Sequence, residues 1–450
     1  MFDGTFFAAR IFLTGLALFF CSRFITSRWA FGAVVVIVSL VNFAHIAPLP
    51  LTNPDSVYWW QLSRGFDGNI CFWLYRPALY RWYLTLFSSP DTAIAFQWIF
   101  KFGMLFFVDR IATTFRWSFG RRSFLLLALG CNSFWLQEPN NMLDTTLFTM
   151  LLTAALFFFC NAWKSQHTRW FVMFGITAGL CTLTRQVADL FLIVAIIALW
   201  LRHPRTELKK KLLCTGLFVT VGWAGAVANW HTIGLFKRTE TLGINLFTHS
   251  SYYDWSVPNP EQKKLIGTLL PHATLGDTLW DPSIRSNINW VANALPHQYK
   301  HYLVDSGKCT SCSTADKQLS HEFFVWAKSH PQTYLFSIIN EFKRSIFKTE
   351  EYYPSPVVTK NLPVILKRIE RQWIHWPIWL MLLLPLPIIA LKKNRLEMAL
   401  WCGTVGYFCM MASIQLGFTR YTFPAFPFLF LLLTGTLFEM YSLAFGGRKR

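Results

Sequence analysis

Apolar blocks alternate with short basic linkers along almost the whole chain, and one polar stretch, from about His231 to Trp373, breaks the rhythm. Eleven blocks stand out, at approximately 5–21, 29–48, 92–110, 122–138, 142–162, 169–184, 187–203, 212–231, 374–391, 397–416 and 422–442. A helix crosses the hydrocarbon core with roughly 20 apolar residues, fewer where flanking side chains snorkel. A helix buried in a soluble protein would carry a polar stripe, and Ala33–Ala44 (AVVVIVSLVNFA) carries almost none. The pattern predicts an all-α polytopic membrane protein with about 11 transmembrane helices. It divides the chain into an N-terminal membrane domain (1–231) with an outer loop over 49–91, an extracytoplasmic domain (232–373), and C-terminal membrane helices (374–450). The extracytoplasmic domain reads as small and mixed or mostly helical, because its Trp, Tyr, Pro and His content does not suit a disordered linker. Block 5–21 is short enough to be an interfacial helix or an uncleaved signal-like anchor instead.

The linkers set the orientation. Ser22–Arg28, Ile111–Arg122, Lys164–Arg169, Arg202–Lys211, Lys392–Arg395 and the tail Arg448–Arg450 are basic. All six fall on one side if the C-terminus is cytoplasmic, where Lys and Arg are retained. Eleven crossings then put the N-terminus outside. The outer side receives Ala47–Asp91, the turn Gln137–Asn141, Arg185, the domain 232–373 and Gly417–Arg420. No Asn lies in an N-x-Ser/Thr sequon, which fits a bacterial chain in the inner (plasma) membrane with its outer side in the periplasm.

The net charge of +19 follows mainly from those linkers. Nucleic acid is an unsuitable partner, since the basic residues form no soluble stripe. Arg64, Arg76, Arg81, Arg185 and Arg420 are left over on the outer side, where they could neutralise an anionic ligand. Most of the ten cysteines lie in apolar blocks and read as small hydrophobes. Cys309 and Cys312 (CTSC) lie in the polar stretch, and their spacing in an exported domain favours a small-loop disulfide between them. A redox pair, or a zinc site completed by His297, His301 or His321, are the alternatives.

Residues able to carry chemistry gather at the outer ends of the blocks. Asp55, in Thr52–Trp60, could accept a proton from a hydroxyl at headgroup level, or be an ordinary solvated helix-end carboxylate. Arg76 and Arg81, with Tyr75, Tyr80 and Trp82, suit a phosphate at the membrane surface, or simple interfacial anchoring. Glu138 and Asp144 form a second acidic group, readable as helix capping. Arg185 interrupts two apolar blocks and must be solvated, paired or bound to an anion. Arg420–Tyr421 opens the last block ahead of Pro424 and Pro427. No P-loop, GxGxxG, nucleophile elbow or His-rich metal helix accompanies them.

In order and in side, these segments resemble the GT-C superfamily of membrane glycosyltransferases, in the branch of protein O-mannosyltransferases and lipid A aminoarabinose transferases. The resemblance rests on Asp55 after an early helix, on Arg76–Pro77–Ala78–Leu79–Tyr80 in the same outer loop, on the small-residue block Gly175–Thr184 ending in Arg185, and on Arg420–Tyr421 with the two prolines. It spans about Trp29 to Tyr441, weakly over the polar domain, and departs from the family where Ser56, not a second acid, follows Asp55.

The resemblance implies a polyprenyl-phosphate-linked sugar donor, a lipid, glycan or protein acceptor, and inverting transfer outside the cytoplasm. Asp55 would be the base. Arg76, Arg185 and Arg420, with Tyr80 and Tyr421, would bind the donor phosphate, and Glu138 and Asp144 would orient the acceptor or an Arg. No cofactor is required by these residues, and a divalent metal is left open. The rival reading is a transporter or lipid flippase, which would place ionisable groups at mid-membrane; Lys101 is the clear example here. A scaffold without catalysis would leave the outer Arg residues unexplained.

Overall fold

The computed structural model describes residues 22, 24–46, 54–65, 70–132, 136, 138–165, 167–202, 207–239, 242–253, 299–347, 378–392, 395–414 and 423–445. All regular structure among them is helical. Block 5–21, Arg420 and Tyr421 lie outside the described residues.

The membrane part is a set of long helices. They are α1 (Arg28–Ala44), then, beyond three outer-loop helices α2 (Pro54–Arg64), α3 (Ile70–Tyr75) and α4 (Ala78–Thr85), α5 (Pro90–Thr114) and α6 (Phe119–Gly130). There follow α7 (Thr145–Lys164), α8 (Thr168–Thr184), α9 (Ala188–Arg202) and α10 (Leu208–Ile233). The polar domain contributes α11 (Leu242–Tyr253), a helical stretch over 299–305, α12 (Cys312–Ser329) and α13 (Pro331–Phe347). The C-terminal part holds α14 (Ile378–Leu383), α15 (Pro385–Lys392), α16 (Arg395–Ile414) and α17 (Phe426–Phe445). Helices thus occupy ten of the eleven apolar blocks. Four are long and apolar enough to cross a membrane: Pro90–Thr114, Thr145–Lys164, Leu208–Ile233 and Phe426–Leu443. Large apolar side chains such as Val36, Leu40, Ile99 and Val194 are exposed on the bundle surface, as lipid-facing positions require. The chain is an integral membrane protein.

Two blocks differ from the sequence reading. In the block read as 122–138, α6 ends at Gly130, whose carbonyl accepts from Asn42 Nδ2 of α1 at 3.1 Å, and Leu136 is helical again. The block read as 374–391 is two short helices, because the chain meets Pro385 and a residue before proline is pushed out of helical geometry.

One close crossing joins α8 to α10. A Cβ on Gly175 would stand 2.5 Å from Cys214 O, and one on Gly179 2.6 Å from Val221 Cβ. The small residues of Gly175–Thr184 therefore let two backbones approach, as in other membrane helix pairs.

The polar domain packs α11 on α12 around Ile244, Phe247, Tyr299, Leu303, Ala315 and Leu319. Asp316 of α12 holds this unit together, accepting from Gly243 N at 3.1 Å and Lys300 Nζ at 3.2 Å. The expected Cys309–Cys312 bridge is not formed. Cys312 is bonded to Cys71 of α3, with Cα atoms 5.2 Å apart, and Cys309 is a half-buried thiol. Cys309 belongs to the bend before α12, where Ser311 caps the helix, while Cys312 turns inward at its first residue and meets α3. The bond consumes Cys312, one of the ligands the zinc alternative would use.

Candidate active site

The helix ends sort into two sets. At one end, Arg122 makes two hydrogen bonds of 2.7 Å to Asp109, Arg121 meets Glu439 at 3.3 Å, and Lys164 Nζ donates to Thr114 O at 2.6 Å. The cations belong to the basic linkers, and these contacts clamp α5, α6, α7 and α17 together. The other set holds every described member of the candidate chemistry.

Asp144 stands at the N-terminus of α7 and Arg185 at the C-terminus of α8. Arg185 leaves the helix in extended geometry, φ −151° and ψ 121°, which turns its side chain across to α7. Its Nε donates to Asp144 Oδ2 at 2.9 Å, and Nη2 donates to Asp144 Oδ1 at 2.7 Å and to Thr145 Oγ1 at 2.8 Å. The planar fork meets the carboxylate on two bonds, the strongest geometry such a pair has. The side chains are 13% and 9% exposed, so the pair is shielded from solvent.

Beside it lies a polar network. Glu138–Asn140 form a 3-10 turn, and Glu138 is fully buried. Gln97, about two turns into α5, donates through Nε2 to Pro139 O at 3.1 Å and Asn141 O at 2.7 Å. Trp98 Nε1 donates to Asn140 Oδ1 at 3.0 Å, and Asn140 Nδ2 donates to His45 O at 2.8 Å. The Tyr80 hydroxyl donates to Gln97 Oε1 at 2.5 Å, and its ring meets Trp59 edge-on at 4.9 Å. Burial holds the Tyr80 hydroxyl well above its ordinary pKa, helped by Tyr83, Asp144 and Glu138, so it stays protonated. Tyr80 was expected to bind phosphate. Its hydroxyl is fully buried and donates to Gln97.

Trp59 continues the chain of contacts outward, with the Arg76 guanidinium 5.2 Å from its ring centre. Trp59 is on α2, whose first turn contains Asp55. Arg76, Tyr80, Glu138, Asp144 and Arg185 thus converge at one end of the bundle, with the helix of Asp55 against them.

The remaining outer arginines have other duties. Arg64 Nη2 donates to Leu84 O at 3.0 Å and Phe87 O at 2.7 Å, closing the end of α4. Arg81 is buried, stacks 3.6 Å above Trp73, and donates weakly to Asn229 Oδ1 at 3.4 Å. Burial lowers its pKa to about 10, still a cation at neutral pH. Asn229 also accepts from Trp73 Nε1 at 3.1 Å and donates to Lys237 O at 2.7 Å. Gln97 and Asn229 escaped the sequence reading. Each is a lone amide within an apolar helix, and that isolation was the available signal.

Lys101 is fully buried, facing protein rather than lipid, with its ammonium 5.1 Å from the Trp98 ring centre.

Residues 76–230 match the family described as dolichyl-phosphate-mannose-protein mannosyltransferase. The match supports a membrane glycosyltransferase of the GT-C type. It opens at Arg76 and takes in Tyr80, Glu138, Asp144 and Arg185, so most of the cluster falls inside the matched region. The family's description names dolichyl-phosphate-mannose as donor and protein as acceptor. No match was found among curated proteins.

Proposed function

We propose that this glycosyltransferase moves a sugar from a polyprenyl-phosphate donor to an acceptor hydroxyl on the extracytoplasmic face, with inversion at the anomeric carbon. Asp55 takes the hydroxyl proton, the acceptor oxygen attacks the anomeric carbon, and the bond to the phosphate oxygen breaks. Polyprenyl phosphate leaves with the electron pair. Arg76 and Arg420 stabilise the charge growing on it, together with Arg185, whose guanidinium is held in place by Asp144. Such a leaving group needs little acid assistance, so one carboxylate suffices, unlike the paired carboxyls of a soluble glycosidase. Glu138, being buried, orients neighbours rather than touching the acceptor.

The observation that carries this reading is the convergence of Arg76, Asp144 and Arg185 at one helix end within the matched region. The Cys71–Cys312 bond supports the placement outside the cytoplasm, since it joins the outer loop to the polar domain and disulfides persist in oxidising compartments such as the periplasm. Mass spectrometry of surface glycolipids and glycoproteins from cells lacking the protein tests the proposal. The expected result is one glycoform losing a single sugar residue. Unchanged glycoforms, with altered distribution of a lipid between leaflets, would overturn it in favour of a flippase.

A further inference from the structure

Helix α13 is built inside out for water. Ser337 and Glu341 are fully buried, while Leu335, Phe336 and Ile339 are exposed. At the preceding corner Phe324 and Val325 of α12 are exposed as well. A soluble amphipathic helix shows the reverse arrangement. The same inversion occurs on α1, where Asn42 is fully buried and Val36, Ile37, Leu40 and Phe43 face outward.

The corner is continuous with the membrane bundle. The Tyr334 hydroxyl donates to Ser413 O at 3.3 Å, one residue from the end of α16. One helical turn further along α13 than Ile339, Phe342 packs against the bundle core that contains Met381, Leu382, Phe408 and Met411. Lys328 and Lys343 are exposed at the two ends of the apolar patch. An apolar face flanked by lysines, resting at a membrane helix end, has the character of an interfacial helix.

We infer that the α12–α13 corner is a membrane anchor of the outer domain, with Phe324, Val325, Leu335, Phe336 and Ile339 inserted among the acyl chains of the outer leaflet. Lys328 and Lys343 meet lipid phosphates. The occupant is the bilayer, because the patch runs on from the bundle surface and repeats the inverted polarity of α1. The anchor fixes the height of the outer domain above the membrane. It holds whether or not the chain transfers sugar, and the test below reads lipid contact without turnover.

Full-length protein is reconstituted into phosphatidylethanolamine–phosphatidylglycerol vesicles containing a phospholipid with a photoreactive group in its acyl chain. Adducts are mapped by peptide mass spectrometry after irradiation. Adducts on peptides covering Phe324–Ile339, at a yield comparable to those on Val36–Phe43 of α1, are expected. The double variant Leu335→Lys, Phe336→Lys loses the former and keeps the latter. Adducts on α1 with none on Phe324–Ile339 in the unaltered protein would overturn the inference, whether another segment, a second copy or water covers the corner.

Discussion

Asp144 and Arg185 neutralise each other where neither meets bulk water, and that makes each costly to remove alone. Truncating one partner of a buried ion pair leaves a stranded charge and costs about 3–5 kcal/mol. Asp144→Ala and Arg185→Ala should each lower the unfolding midpoint in detergent more than the double variant does relative to either single one. Strict additivity would show that the pair contributes no coupling. For turnover the expectations differ. Asp55→Asn keeps shape but cannot accept a proton, so transfer should fall about 10²–10⁴-fold with normal insertion and donor binding. Arg76→Lys keeps charge but loses the bidentate fork, so it should weaken donor binding while leaving the unfolding midpoint unchanged. A wild-type rate in Asp55→Asn would shift the role of base to another acid. The residues of this cluster were legible one by one in the sequence, as charges interrupting apolar blocks. Their pairing was not, because Asp144 and Arg185 are 41 positions apart and no local periodicity links them. The commitment of Tyr80 to Gln97 was hidden for the same reason, since an interfacial Tyr beside Arg reads equally as ligand or support.

Helices were the most legible elements, since a long apolar run has few other ways to satisfy its backbone in lipid. Their ends were harder. At the end of α6, Gly130 also accepts from Asn42, 88 positions earlier, a contact that no local pattern announces. The α8–α10 crossing shows what sequence does betray, for the glycines of the small-residue block are the residues at the contact. Gly175→Ala should push a methyl group against a backbone carbonyl and destabilise the protein by about 1–3 kcal/mol, the usual cost of overpacking. Gly216→Ala on α10 meets nothing within 4 Å and serves as the control. Equal unfolding midpoints for the two variants would show that α8 and α10 separate without strain.

Across the whole molecule, the Cys71–Cys312 bond ties the outer loop to the outer domain. Alkylation under non-reducing conditions, followed by mass spectrometry, should modify Cys309 while Cys71 and Cys312 react only after reduction. Cys71→Ser should cost about 2–4 kcal/mol, typical of a lost native bridge. Cys71 was illegible as a bridging residue because it sits in the apolar run Ile70–Tyr75, where Cys passes for a small hydrophobe. The bond also sets a timetable for biogenesis. Its two halves are 241 residues apart, so at a synthesis rate of roughly 5–20 residues per second Cys71 waits on the order of 10–50 s for its partner to leave the ribosome. Cys309 emerges immediately before Cys312 and competes for it as the nearest thiol. Newly made chains should therefore pass through a Cys309–Cys312 species that a disulfide isomerase resolves. Pulse-chase labelling in cells without that isomerase should show the short-range bridge accumulating, and Cys309→Ser should abolish the requirement.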